Sequence, residues 1–205
     1  MSISRTSPWK RASARRPERM AKLPYPDPAA LPEENRKLLE TLPPLNIFRM
    51  LSGAGASFPP FMALINAYLN HGALDAELRE LAILRVGHLQ ASAYELHQHE
   101  RVSRTIGMSA ERIAAAGGPL PSPLYSEAEN AALAFIDDQV KHVKADGALF
   151  DAAHKHVGDA GMQELILIVG IYMLVCRYLE TMEIELEEKD IEGSGLEEID
   201  TTMGR

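Results

Sequence analysis

The stretch RELAILRVGHLQASAYELHQHERVSRTIG, residues 79–107, decides the fold class because its apolar residues recur with helical spacing. Asp75 precedes it as a suitable N-cap, and a helix is predicted from there to about Leu89. A second helix is predicted from Ser92 to about Ile106 and is closed by Gly107. Two consecutive helices joined by a short turn are therefore expected in the middle of the chain.

The rest of the chain shows the same organisation on both sides of this stretch. Prolines, glycines and N-cap residues predict further helices over about 32–42, 45–51, 59–70, 109–117, 127–144, 147–158 and 160–186. No segment alternates apolar and polar residues with the period of two that strands require. The predicted fold class is all-α.

Three side chains in the second helix are spaced to lie on one face. Ser92, Glu95 and His99 follow each other at i, i+3 and i+7, so Glu95 can hydrogen-bond His99 one turn later. A carboxylate beside an imidazole fixes its tautomer and raises its basicity, which favours acid–base chemistry. A hydroxyl at a helix start, as at Ser92, favours an anionic substrate.

A structural interpretation of the same residues stays open. Ser92-x-x-Glu95 has the pattern of a capping box, in which the two side chains bond only to the backbone. Glu95 and His99 could equally form an exposed helix pair worth a few tenths of a kcal/mol.

Metal and cofactor sites are not expected. His97 and His99 are two residues apart, as are His154 and His156, so on a helix neither pair shares a face. No glycine-rich phosphate loop follows a strand, and no G-x-S-x-G elbow is present.

The central stretch resembles the carboxymuconolactone decarboxylase family, which includes the alkylhydroperoxidase D-like proteins. The resemblance lies in RELAILRV at 79–86, Tyr94-Glu95, His99 and Gly107-Met108-Ser109, and it extends over about residues 23–190. The peroxidase branch carries Glu-x11-Cys-x2-Cys-x3-His. From Glu80 the same spacing reaches Ser92, Glu95 and His99, so both cysteines are replaced.

The resemblance implies an alkylhydroperoxidase D-like helical bundle that assembles as a homotrimer or homohexamer. It further implies an enzyme that decarboxylates a small carboxylated lactone or oxo-acid of aromatic catabolism without a cofactor. Carried over to this sequence, Glu80, Glu95 and His99 are the acid–base candidates. Ser92, Tyr94 and Arg85 are the candidate substrate contacts. For Arg85 the alternative role is a salt bridge to a neighbouring residue.

Thiol peroxidase chemistry is excluded by the cysteine count. That chemistry needs a reactive thiolate and a resolving thiol, whereas Cys176 is the only cysteine. Cys176 lies in the apolar run 165–179, so we predict a buried small hydrophobic side chain.

Charge and composition separate the ends of the chain from its body. Residues 1–22 hold seven basic residues and one acid within a chain of net charge −8, so the body is acidic and is not expected to bind nucleic acid. The predicted organisation is a basic extension at 1–22, a helical domain at 23–190 and an acidic or polar tail at 191–205. Residues 1–19 are interpreted as a disordered arm, a transit peptide or a segment upstream of a start at Met20.

No membrane span is expected, because the most apolar stretch, 165–176, is short and is followed by Arg177 and Glu180. A cytoplasmic location is the weak expectation from the low cysteine content. The alternative to an enzyme is a family member without thiol peroxidase activity, or a non-catalytic oligomeric helical protein. The enzyme hypothesis requires Glu80, Glu95 and His99 in a sheltered pocket, and the alternative predicts that they face water.

Overall fold

A computed structural model describes residues 21–187, which form eight α-helices, two short 3-10 segments and no strand. The all-α prediction is therefore confirmed. The helices are α1 (Glu33–Thr41), α2 (Asn46–Leu51), α3 (Phe58–His71), α4 (Ala76–Gln90), α5 (Ala93–Thr105), α6 (Ala110–Ala115), α7 (Glu127–Lys141) and α8 (Gly147–Met182). The predicted extension at 1–22 lies almost wholly outside these residues, and the tail at 191–205 lies wholly outside them.

Local backbone geometry explains where the helices end. α7 stops at Lys141 rather than the predicted 144 because His142 is already extended. α8 contains the break predicted at Gly158, where φ is 68°, a conformation that glycine adopts without a Cβ clash. It ends at Met182, short of the predicted 186, and Glu183 follows with a positive φ of 50°.

The described residues divide into two compact units, 21–66 with 182–187 and 67–181. In the first unit the Asn35 amide donates to the carbonyls of Ser52 and Gly55, at 2.8 and 2.9 Å. The Asn46 amide donates to the carbonyl of Glu185 and thereby ties the segment after α8 to α2.

The second unit is built around α4, which packs against both α5 and α7. α4 is apolar around most of its circumference, and Leu81, Ala82, Ile83 and Val86 are fully buried. A helix that is apolar on all sides belongs in a core. The two charged residues buried on α4, Glu80 and Arg85, therefore each need a partner within the protein.

The last helix is apolar and long, but much of its surface is in the core. By length and composition alone, α8 could cross a membrane. Its side chains at Leu165, Ile168, Tyr172, Cys176 and Leu179 are nevertheless buried among the other helices of the second unit. α8 thus contributes one face to the core of the second unit, and Ile166, Leu167 and Leu174 on it are exposed.

Candidate functional site

A tight turn between α4 and α5 brings the predicted site residues together. Ala91 adopts the left-handed conformation at the end of α4, and the Ser92 amide donates to the Gly87 carbonyl at 3.0 Å. α5 then passes close to α4 at Gly87, where an added Cβ would lie 3.1 Å from Leu96. The chain thus turns back on itself, and residues 19 positions apart along the sequence meet in the core.

His99 of α5 lies between two carboxylates. Its Nδ1 is 2.7 Å from Oε2 of Glu80 on α4, and its Nε2 is 3.2 Å from Oε1 of Glu95 one turn earlier on α5. Glu80 is 0% exposed, and Glu95 and His99 are each 4% exposed. The three candidate acid–base residues therefore form one sheltered cluster.

This arrangement keeps the imidazole protonated. Burial alone would lower the pKa of His99, but the charge of Glu80 and hydrogen bonds with Glu80 and Glu95 raise that pKa to about 10. Both ring nitrogens carry a proton in the imidazolium, so each can donate to one carboxylate. At neutral pH His99 is a proton donor and a positive charge, and it is not a free base.

An arginine and two tyrosines complete the surroundings of the cluster. Arg79 Nε lies 3.8 Å from Glu80 Oε1, and neither atom has a hydrogen-bond partner within the described residues. The Tyr172 ring meets the His99 ring edge-on, with 5.1 Å between the centroids. Tyr68 stacks edge-on against Tyr172, and its buried hydroxyl is also unpartnered within this part of the chain.

The capping-box interpretation of Ser92 and Glu95 does not describe this structure. Ser92 precedes α5 as the N-cap residue, but its side chain makes no capping hydrogen bond. The hydroxyl is fully buried and has no hydrogen-bond partner among residues 21–187, while the Glu95 carboxylate faces His99. The exposed-pair interpretation also fails, because Glu95 and His99 are buried.

The other two candidate substrate contacts occupy different surroundings. Tyr94 is buried on α5 at 4% exposure. Arg85 forms a bidentate pair with Asp137 of α7, through Nε and Nη2 at 2.5 and 2.6 Å. Its Nη1 donates to the carbonyls of Ala116 and Gly118. All three guanidinium nitrogens are thus engaged in holding α4 to its neighbours, which is the salt-bridge alternative left open above.

Cys176 is buried, as predicted, and lies at the edge of the cluster. Burial and then the negative charge of Glu95 raise the pKa of its thiol to about 12. The thiol is therefore protonated at neutral pH and is a poor nucleophile.

A shallow groove of about 370 Å³ lies elsewhere in the second unit, between the end of α7 and the middle of α8. Its lining includes Lys141, His142, Met173 and Arg177, and none of the candidate site residues. We give more weight to the buried cluster, because paired ionisable groups with altered protonation mark functional sites more specifically than surface shape. Within residues 21–187 no group of three potential ligands has metal-binding geometry.

Sequence reasoning missed Arg79, Tyr68 and Tyr172. Arg79 stands beside Glu80 in the sequence, but consecutive helical residues point in different directions, so adjacency gave no signal. Tyr68 and Tyr172 come from α3 and α8, and only the tertiary fold brings their rings to His99.

Known proteins share this fold. Residues 57–138 match the model of the carboxymuconolactone decarboxylase family, whereas no curated protein matches the chain. A peroxidase-related protein of Ralstonia eutropha, described as an alkylhydroperoxidase AhpD core, is 21% identical with a TM-score of 0.68, over 84% of this chain and 95% of that one.

Two further structures are similar. One is a protein of unknown function from Agrobacterium tumefaciens, named after the antioxidant defence protein AhpD. It is 23% identical with a TM-score of 0.61, over 65% of this chain and 92% of that one. The debrominase Bmp8 is 18% identical with a TM-score of 0.60, over 82% of this chain and 91% of that one. Because these sequence identities are low, the structural similarity establishes a shared fold only.

The helical architecture is therefore that of the AhpD-like proteins. Residues 57–138, the part of the chain that matches the model of the carboxymuconolactone decarboxylase family, include Glu80, Ser92, Glu95 and His99.

Proposed function

We propose that this protein is a cofactor-free enzyme that uses Glu80, Glu95 and His99 for proton transfer to a small carboxylated lactone or oxo-acid. The observation that carries the proposal is the buried His99 ring between two carboxylates. Burying such charges costs several kcal/mol of desolvation free energy. An ion pair on the surface would stabilise the fold as much with a smaller desolvation penalty. An arrangement of this kind is typical of a site that moves protons.

The two contacts of His99 differ, which supports separate roles for the two carboxylates. The Nδ1 contact with Glu80 is short, at 2.7 Å, and Glu80 is fully buried, so this carboxylate orients the ring. The Nε2 contact with Glu95 is longer, at 3.2 Å, and is therefore the weaker of the two. We assign the transferable proton to Nε2 and assign to Glu95 the part of holding it until substrate enters.

In the proposed reaction the substrate carboxylate leaves as CO2. The electron pair of the broken carbon–carbon bond passes into the lactone or oxo group and gives an enolate. The His99 charge stabilises that enolate, and its Nε2 proton is then transferred to carbon. His99 recovers a proton from water, so the net change is loss of CO2 and gain of one proton. In the proposed reaction the Ser92 hydroxyl, which has no hydrogen-bond partner among residues 21–187, donates a hydrogen bond to the same enolate oxygen.

The proposal is tested by a screen of carboxylated lactones and oxo-acids, read as CO2 release. Wild type is compared with His99→Gln, which keeps the hydrogen-bonding shape but carries no transferable proton. His71→Gln is the matched control, because His71 is exposed at the end of α3. We expect turnover by wild type and the control and a loss of at least about 100-fold in His99→Gln. Equal turnover in all three proteins would contradict the proposal.

We propose further that the protein is a cytoplasmic homotrimer or homohexamer. Support for assembly comes from large apolar side chains exposed on α8, at Ile166, Leu167 and Leu174. Grouped apolar residues on a surface are typical of protein interfaces. Light scattering across a dilution series measures the assembly, and a monomer at all concentrations would contradict it.

A second candidate is a non-catalytic helical protein in which the charge cluster stabilises the fold. The near-complete burial of Glu80, Glu95 and His99 favours it, because substrate would have to displace neighbouring side chains to reach them. Under this hypothesis no substrate in the screen turns over, and His99→Gln changes only the free energy of unfolding.

A further inference from the structure

Arg79 is the most exposed member of the charged cluster and the least satisfied. Its side chain is 13% exposed, whereas that of the adjoining Glu80 is 0% exposed. Its Nε is buried and has no hydrogen-bond partner among the described residues. Buried polar atoms are nearly always paired, and an orphan donor calls for an unseen water or ligand.

Glu80 does not satisfy this arginine. The separation of 3.8 Å between Arg79 Nε and Glu80 Oε1 is too long for a hydrogen bond, and Glu80 Oε1 is itself unpartnered in this part of the chain. A donor and an acceptor thus stand side by side, each unpaired. The other Glu80 oxygen is committed to His99.

The charge balance of the cluster favours an incoming anion. Glu80 and Glu95 alone with His99 would carry a net negative charge and would repel a carboxylate. Arg79 makes the four-residue cluster neutral, and its cation is the charge nearest to water. A guanidinium is well suited to a carboxylate because its planar fork matches the two oxygens.

We propose that Arg79 is the substrate-binding residue that holds the carboxylate of an anionic substrate beside His99. This inference rests on the proposed function for the presence of a carboxylate on the substrate. It assigns to Arg79 the part for which Arg85 was the sequence candidate, because the Arg85 guanidinium is fully engaged with Asp137 and two carbonyls.

Calorimetric binding to the full-length protein tests the inference without turnover. The probes are γ-butyrolactone γ-carboxylate and its neutral methyl ester. Arg79→Gln should weaken binding of the carboxylate by about 10- to 100-fold and change binding of the ester by less than about 3-fold. Arg79→Lys should fall between, because it keeps the charge and loses the fork. Arg104→Gln, on the exposed surface of α5, is the control and should change neither.

Three results would overturn the inference. The first is an equal loss of affinity for the carboxylate and the methyl ester in Arg79→Gln. The second is no loss of affinity for either probe, and the third is failure of wild type to bind the carboxylate. The first would indicate a structural role, and the second would indicate that a water molecule satisfies Arg79.

The proposed function and the role of Arg79 can each fail without the other. Selective carboxylate binding through Arg79 without CO2 release in the screen would remove the reaction and keep the subsite. Turnover by wild type with an unchanged KM in Arg79→Gln would keep the reaction and remove the subsite.

Discussion

His99 and Glu80 are 19 residues apart in sequence, yet their ring nitrogen and carboxylate oxygen lie 2.7 Å apart in the core. Glu80 arrives on α4, a helix that is otherwise almost wholly apolar at its buried positions. His99 arrives on α5 after the turn at Ala91. By spacing alone, Glu95 and His99 would be expected to form an exposed helix pair. The contact with Glu80 makes them part of a buried three-residue cluster.

Removing the imidazole should destabilise the protein strongly. His99→Gln leaves Glu80 and Glu95 buried without the imidazole between them, and breaking such a buried pair costs about 3–5 kcal/mol. Urea unfolding at pH 7 measures this loss against wild type and His71→Gln. A variant as stable as wild type at pH 7 would show that the cluster is not buried as described.

The free energy of unfolding should decrease as the pH rises above neutral. The folded-state pKa of His99, about 10, lies above its unfolded value of 6.5. The bound proton therefore contributes fully below pH 6.5, and its contribution is lost as the pH rises through about 10. The difference in unfolding free energy between wild type and His99→Gln should decrease by a few kcal/mol over this window. A difference that stays constant from pH 6 to 10 would contradict the assignment.

Arg85 and Arg79 should respond differently to substitution. Arg85→Gln breaks a bidentate pair with Asp137 and two carbonyl contacts, so a loss of about 3–5 kcal/mol is expected. Arg79→Gln removes only a longer ion contact with Glu80, at 3.8 Å, so a smaller loss of about 1 kcal/mol is expected. Parallel denaturant curves measure both. Equal losses would mean that Arg79 also holds the fold together.

Two N-cap serines provide a matched comparison. Ser126 forms a full capping box with Glu129, whereas Ser92 makes no capping bond. Ser126→Ala should cost about 1 kcal/mol, and Ser92→Ala should cost less than about 0.5 kcal/mol because its hydroxyl is already unpaired. Denaturant unfolding of the two variants measures the contrast. A larger loss at Ser92 would show that its hydroxyl has a structural partner.

The sequence was sufficient for the helices and for three residues of the cluster, Glu80, Glu95 and His99, but it was insufficient for their arrangement. Glycine and N-cap residues located most helix ends to within a few residues, because those signals act on the local backbone. The family spacing singled out Glu80, Glu95 and His99. Whether Ser92 and Glu95 would cap the helix or face inward could not be decided locally, since both states have the same spacing.

The remaining neighbours depended on long-range packing. Tyr68 and Tyr172 lie on α3 and α8, and nothing in their local sequence relates them to His99. The choice between the two interpretations of Arg85, substrate contact or salt bridge, depended on Asp137, which α7 brings to it. Periodicity identifies the buried face of a helix, but it does not identify which helix covers that face.

The most direct test of the central claim is a nitrogen NMR titration of the His99 ring in the full-length protein, assigned by comparison with His99→Gln. We expect both ring nitrogens to stay protonated from pH 5 through neutral pH, with the transition at about 10. A transition at or below pH 6.5 would show that His99 is not held as an imidazolium between Glu80 and Glu95. The proposed proton donor would then be absent.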